Sequence, residues 1–248
     1  MFLGVGRGSS NELHNVKVSQ VEDIVQGSMT DQEITSAALQ EVKSPTWAMT
    51  EQFFEIHALK EEDPIALIEY VQDETSSNPV WRVYLNLQDV HYYFQIGFES
   101  QQDSLRVVGC NSSEHASVRL NIHSNIDSPD RIEQTLELPA SYKGYRGEHI
   151  HPKSLKVRDN HVYSFKAKAP NAWTFDRKLE RLLDDLILVK QQLKEVHERS
   201  TSCIINVSYA AWQSQMWGCH LSVNTIQKLN SLDIALDIDL YAEGPELL

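Results

Sequence analysis

The spacing of apolar and polar positions divides the chain into helix-period and strand-period segments. The clearest helix pattern follows Trp173. Phe175, Leu179, Leu182, Leu183, Leu186, Val189, Leu193 and Val196 recur at intervals of three and four, one apolar stripe of a 3.6-residue period. Thr174 is placed to cap the start. Asp176 and Glu180 fall in the first turns, and Lys190, Lys194, His197 and Arg199 toward the end, which complements the helix dipole. The spacing predicts one helix of roughly 25 residues, about 37 Å long at 1.5 Å per residue, able to lie across a sheet. Residues 203–209 and 234–241 then alternate with period two, as strands packed on one face do. A short helix is expected between them, with Ser222 as N-cap and Ile226 and Leu229 inward. Residues 212–218 read as a loop.

The first half has a different rhythm. Thr30 and Glu33 have capping-box spacing and open a helix over 30–43 with Ile34, Ala37, Ala38 and Val42 inward. Strand-like runs follow at 53–59, 66–71, 80–87, 91–98 and 105–108. Turn residues separate them at 61–64, 76–79, 88–89 and 101–103. A helix followed by an antiparallel meander is an α+β pattern. The boundary between modules is expected at 111–114. Beyond it, 118–122 alternates as a strand. Ser128, Pro129 and Asp130 supply an N-cap, a proline at the first helical position and an acid. That helix has Ile132 and Leu136 inward and ends at Pro139. Residues 140–153 read as loop, and 155–158 and 162–167 as strands around the turn Asp159-Asn160-His161.

The expected organisation is therefore a poorly ordered extension over 1–28, a module over 29–113 and a module over 116–242. Met29 opens a cleaner beginning, so residues 1–28 read as a loosely ordered extension or as the product of an upstream start codon. The fold class is α+β in two modules. The first is a helix plus an antiparallel meander. The second is an α/β sandwich with a long helix across a mostly antiparallel sheet.

The alternation at 118–122, the helix at 128–139, Tyr142-Lys143-Gly144, Trp173 before the long helix and the closing Leu236-Asp237-Ile238-Asp239-Leu240-Tyr241 fall in one order. That order resembles the bacterial domain-of-unknown-function family DUF4279 over about residues 116–242. Its glycine after the lysine is typically followed by Asp, where this chain has Tyr145. The resemblance implies an α+β domain in a bacterial cytoplasm and carries over no catalytic residue. The first half has no recognised family.

Composition sharpens the division. The 248 residues are 41% hydrophobic, enough for one sizeable core or two smaller ones. No apolar run approaches the roughly 18 residues of a membrane span, and the start has no signal-peptide pattern. Cys110, Cys203 and Cys219 are odd in number and far apart, as free thiols of a reducing cytoplasm are. The net charge of −13 is uneven: residues 1–115 hold 6 Lys+Arg against 18 Asp+Glu, and residues 116–248 hold 16 against 17. An acidic first half repels nucleic acid and attracts basic partners.

The familiar phosphate-loop, zinc-protease, Cys-x-x-Cys and serine-hydrolase motifs are missing. Three constellations remain. His149 and His151, with His161 nearby, could share a metal, although a structural site wants four ligands. Asp237 and Asp239 lie on one side of the last strand, as acid–base pairs or as any half-exposed strand would place them. Lys143, Arg146, Lys153, Lys156, Arg158, Lys166 and Lys168 form a basic run interleaved with Tyr142, Tyr145, Tyr163 and Phe165. Such a run suits single-stranded nucleic acid, a solvated face, or contact with an acidic surface of this chain or a partner. The acidity of the chain weighs against nucleic acid.

The resulting expectation is a protein-binding module without catalytic activity or cofactor, in an immunity or antitoxin role. Binding is expected through Tyr142, Lys143, Tyr145, Arg146, Lys156, Arg158 and Lys166. The competing expectation is a small-molecule, metal-binding or hydrolytic domain using the 142–168 region.

Overall fold

The computed structural model describes residues 29–71, 80–101, 104–151, 153, 155–216 and 218–246. The expected extension over 1–28 lies outside the described residues.

The first unit opens with α1 (Asp31–Lys43). The capping box forms: Thr30 Oγ1 accepts from Glu33 N–H at 3.3 Å, and Glu33 Oε2 accepts from Thr30 N–H at 2.8 Å. Ile34 and Ala38 are fully buried. The buried Glu41 carboxylate accepts from the backbone N–H groups of Thr46 and Trp47. It thereby shapes the turn into α2 (Ala48–Ile56).

That second helix corrects the strand expected over 53–59. Phe53 is fully buried, with Met49, Phe54 and Ile56 packed into the same core. The helical spacing starts upstream of the Phe-Phe pair, and only Leu59 keeps an isolated bridge, to Leu87. β1 (Ile65–Val71), β2 (Val80–Asn86), β3 (Tyr93–Gln101) and β4 (Ser104–Ser113) form an antiparallel meander in sequence order.

The second unit comprises β5 (His115–Ser124), α3 (Pro129–Leu136), β6 (Tyr142–Gly144), β7 (His161–Phe165), α4 (Phe175–Leu188), α5 (Lys190–Glu198), β8 (Ser202–Trp212), α6 (Val223–Leu232) and β9 (Ala235–Glu243). Its sheet order is β6-β7-β5-β8-β9. All neighbours are antiparallel except β8 and β9, which need the α6 crossover to run parallel. With six helices and nine strands among the described residues, the fold is α+β. Leu120, Ile122, Ile205, Leu179, Leu182, Leu183 and Leu186 are fully buried between this sheet and its helices.

The expected long helix is two. Val189 leaves the helical range at φ −113° and ψ 24°, and its N–H bonds back to Leu186 O at 3.2 Å. α4 packs on β5, and α5 turns away to pack on α3 and α6. The apolar stripe runs through the break because one displaced residue does not interrupt its spacing. Asp127, buried at the entrance to α3, pairs with Arg131 Nε at 3.3 Å and with Arg199 Nε, at the C-terminal end of α5, at 3.0 Å. Other local expectations also shift. Ile226 of α6 points outward, with Thr225 and Leu232 buried in its place. The strand expected over 155–158 shrinks to one bridge, His149 to Val157.

The expected boundary at 111–114 falls where β4 ends and β5 begins, with only Glu114 between them. Glu114 Oε1 accepts from Phe175 N–H at 3.2 Å. It therefore serves the start of α4, where the Thr174 side chain makes no capping bond. The units also meet through Arg177, which bonds Glu69 at 2.6 Å and stacks over Trp173 at 4.2 Å. Trp212, the last residue of β8, is buried in the core of the first unit, edge-on to Phe53 at 5.1 Å. Its Nε1–H donates to Pro245 O at 2.8 Å. Gly244 has φ +86°, and a Cβ there would stand 2.0 Å from the Tyr92 hydroxyl, so only glycine lets the chain pass. The three cysteines form no disulfide. Among the described residues no helix is long and apolar enough to cross a membrane.

Candidate binding face

Adjacent residues of a strand point to opposite sides of its sheet. This alone splits the basic run. On the short strand β6, Lys143 faces the helix layer and Tyr142 faces away. Lys143 Nζ lies 2.7 Å from Asp130 Oδ1 and 2.5 Å from Glu133 Oε2, both on α3. The Tyr145 hydroxyl donates to Asp130 Oδ2 at 2.8 Å. These bonds hold the Asp130 and Glu133 carboxyls below their usual range and push the Lys143 ammonium and Tyr145 phenol up. Lys143 and Tyr145 are therefore committed to the protein's own helix.

Arg158 goes to the other side. Its Nη2 donates to the Tyr142 hydroxyl at 2.5 Å and to Ile150 O at 3.2 Å, and its guanidinium lies 5.4 Å from the Tyr142 ring centre. Gly144 makes room: a Cβ there would lie 2.9 Å from Arg158 Nε and 3.0 Å from the Tyr142 hydroxyl. Main-chain bonds Gly147 N–H to Arg158 O, Arg158 N–H to Glu148 O, and Ile150 N–H to Lys156 O pair residues 147–150 with residues 156–158. This return leaves Ile150, Val157 and Leu155 exposed, Leu155 at 96%. The Arg146 backbone N–H donates to His161 Nδ1 at 3.2 Å, while its side chain is exposed. Lys156 is also exposed. Lys166 follows β7, where it adds to the positive field at Lys178 and His115. Phe165 is buried in the second unit's core.

His149 and His151 are exposed on the loop. His151 Nδ1 accepts from Lys153 N–H at 3.2 Å. Among the described residues no three His, Cys, Asp or Glu side chains are grouped to hold a metal.

The side of the five-stranded sheet away from the helices is polar. One row of side chains crosses four strands in a single donor direction. Ser164 Oγ–H donates to Asn121 Oδ1 at 2.5 Å, Asn121 Nδ2 to Asn206 Oδ1 at 2.7 Å, and Asn206 Nδ2 to Asp237 Oδ2 at 3.4 Å. Asp237 thus ends a hydrogen-bonded row. Asn121 and Asn206 appear in the sequence only as polar members of an alternation, because the row depends on cross-strand register.

A cleft of about 730 Å³ lies where the units join, lined by His57, Gln88, Asp89, His91, Glu243 and Pro245, among others. His57 Nδ1–H donates to Phe53 O at 2.9 Å, and its Nε2 accepts from the Tyr92 hydroxyl at 2.7 Å. Burial lowers the His57 pKa, which favours this neutral form. On the rim His91 pairs with Glu243 at 3.0 Å. Reading 53–59 as a strand hides this arrangement, since only the end of α2 brings His57 to Tyr92.

The model of a domain of unknown function, DUF4279, matches residues 113–243. The chain belongs to the DUF4279 family. Searches of curated proteins and of solved structures find no match to the chain. The DUF4279 match begins at the last residue of β4 and ends at the last residue of β9. It therefore takes in the 142–158 loop, the polar row and the β9 edge, and leaves out the first meander. The family's description assigns no activity to these features.

Proposed function

We propose that this DUF4279 chain is a non-catalytic protein-binding module of the bacterial cytoplasm, in an immunity or antitoxin role. The observation that carries the reading is the exposed apolar return of the 142–158 loop. Ile150 and Val157 stand out from two backbone stretches, 147–150 and 156–158, that hydrogen bonds tie together, and Leu155 is exposed beside them. Exposed apolar groups gathered on one surface mark interaction sites, and Tyr142 and Arg158 add two of the residue types enriched in binding hot spots. Lys143 and Arg158 already have internal partners. The apolar side chains, more than the positive charges, would hold the partner, and the net charge of −13 would steer a basic one.

The reading is tested with the full chain as bait, wild type beside Tyr142→Ala/Leu155→Asp. A partner retained by wild type and lost by the variant, with new hydrogen-exchange protection over 145–158, is the expected result. A partner held equally by both would move the contact elsewhere. A metal or small molecule copurifying with wild type and lost on His149→Ala/His151→Ala would favour the ligand-binding reading that the loop histidines motivate.

A further inference from the structure

The remaining edge of the five-stranded sheet has features the loop reading does not use. β9 spans nine residues, Ala235–Glu243, longer than a typical strand of about 5–6 residues. Its register with β8 runs unbroken from Ile204↔Ala235 to Trp212↔Glu243. Among the described residues it pairs with β8 alone. Its outer row of N–H and C=O groups is therefore a template for a further strand. The other edges are interrupted: β6 has three residues, β1 has an irregular register between Ile65 and Leu67, and the ten-residue β4 carries a bulge at Val108, opposite the step from Gly97 to Phe98.

The side chains say which strand would fit. Asp237, Asp239 and Tyr241 line one side of β9, and Leu236, Ile238 and Leu240 the other. Both carboxylates are exposed, and Leu240 and Tyr241 are about half exposed, at 54% and 50%. Asp237 is oriented by the row from Ser164. A second copy is a poor occupant. Two-fold antiparallel pairing of β9 with itself, helices on the same side, sets acid against acid in every register that keeps more than half of the strand. Asp237 then faces Asp237, Asp239 or Glu243, or Asp239 faces itself or Glu243, and like charges directly opposite destabilise a ladder. The same acids that bar self-pairing select a basic strand.

We propose that the outer edge of β9 is a docking strand for an extended segment of a partner protein that alternates basic and apolar residues. Main-chain bonds supply the added ladder, basic side chains meet Asp237 and Asp239, and the apolar ones extend the row of Leu240. This inference is independent of the loop, so Leu155→Asp should leave it intact.

The test uses the full chain and a capped peptide of alternating lysine and valine, matched to β9 at nine residues. A second peptide carries N-methyl groups on the backbone nitrogens of its valines, which keeps charge and side chains but removes ladder donors. Expected are binding of the plain peptide, new amide protection over 235–243, and at least about tenfold weaker binding of the N-methylated peptide. Asp237→Asn/Asp239→Asn should weaken the plain peptide by a similar factor, with Asp239→Asn alone as the substitute if the double variant melts early. No binding of the plain peptide, protection elsewhere, or equal binding of both peptides would overturn the proposal; the last would reduce it to charge attraction.

Discussion

The four-stranded sheet buries aromatic side chains on both faces, whereas the five-stranded sheet buries one face and leaves the other polar. In β3, Phe94 packs toward α1 and α2, while its neighbour Tyr93 is buried on the other side with Tyr84 and Ala172. In β5, Leu120 is fully buried under the helices, while its neighbour Arg119 is exposed. The first unit is thus enclosed, partly by the second. The second keeps a polar face, a long edge and an apolar loop outward. Surfaces free for a partner concentrate in the unit that the family match covers.

Trp212 gives the sharpest way to break this comparison. It belongs to the second sheet by chain and to the first core by packing. Trp212→Ala should cost about 3–5 kcal/mol. Denaturation followed by fluorescence and circular dichroism should show one transition shifted as a whole. Two transitions, with only that of the second unit moved, would mean that the units do not share this side chain's burial.

The paired neighbours sharpen it further. Phe94→Ala and Tyr93→Ala should each cost about 3–5 kcal/mol, because each empties a buried aromatic site. Leu120→Ala should cost about 2–5 kcal/mol, and Arg119→Ala no more than about 0.5 kcal/mol. Urea midpoints of the four variants measure the asymmetry directly. A large loss in Arg119→Ala would show that the polar face carries a contact in the free protein.

Much of this architecture is legible in the residues, for identifiable reasons. The Thr30–Glu33 box, the Ser128 and Ser222 caps and the strand alternations at 80–87, 118–122, 203–209 and 234–241 are local signals, and each forms as expected. Misreadings occur where a neighbour outvotes local pattern. Phe53 and Phe54 look like strand because both are apolar, yet they sit on a helix that buries one and half-buries the other. Val189 breaks the long helix because α5 must leave β5 to reach α3, which stripe spacing cannot reveal. The basic run shows the same limit at the site. Lys143 and Tyr142 are adjacent in sequence and opposed in space. Only the pairing of β6 with β7, Lys143 opposite Tyr163 and Tyr142 opposite Ser164, tells which faces the helices. Contact between the units, one of the readings open for the basic run, is made by Arg177, Trp212 and the His91–Glu243 pair.

The smallest expected effect lies at the seam between the two sheets. His115, the first residue of β5, has Nδ1 3.0 Å from the Tyr93 hydroxyl. Burial first, then the positive charges of Lys178, Lys166 and His91, push its pKa down to about 4, against a weak opposite pull from Glu243. An unfolded histidine takes its proton near pH 6.5. Between pH 6.5 and about 4 the unfolded chain therefore holds a proton that the folded chain lacks. The contribution of this group to stability is complete above pH 6.5 and is lost as pH falls toward 4. One proton supplies at most about 1.4 kcal/mol per pH unit, and solvent screening at this half-buried site brings the effect lower. His123 and His57 are shifted in the same direction, so His115→Asn should flatten the fall in melting temperature from pH 7 to pH 5 without abolishing it. An unchanged slope in the variant would mean that the His115 imidazole takes up its proton in the folded protein as readily as in the unfolded chain. The seam would then be open to water, and the first sheet less enclosed than the second.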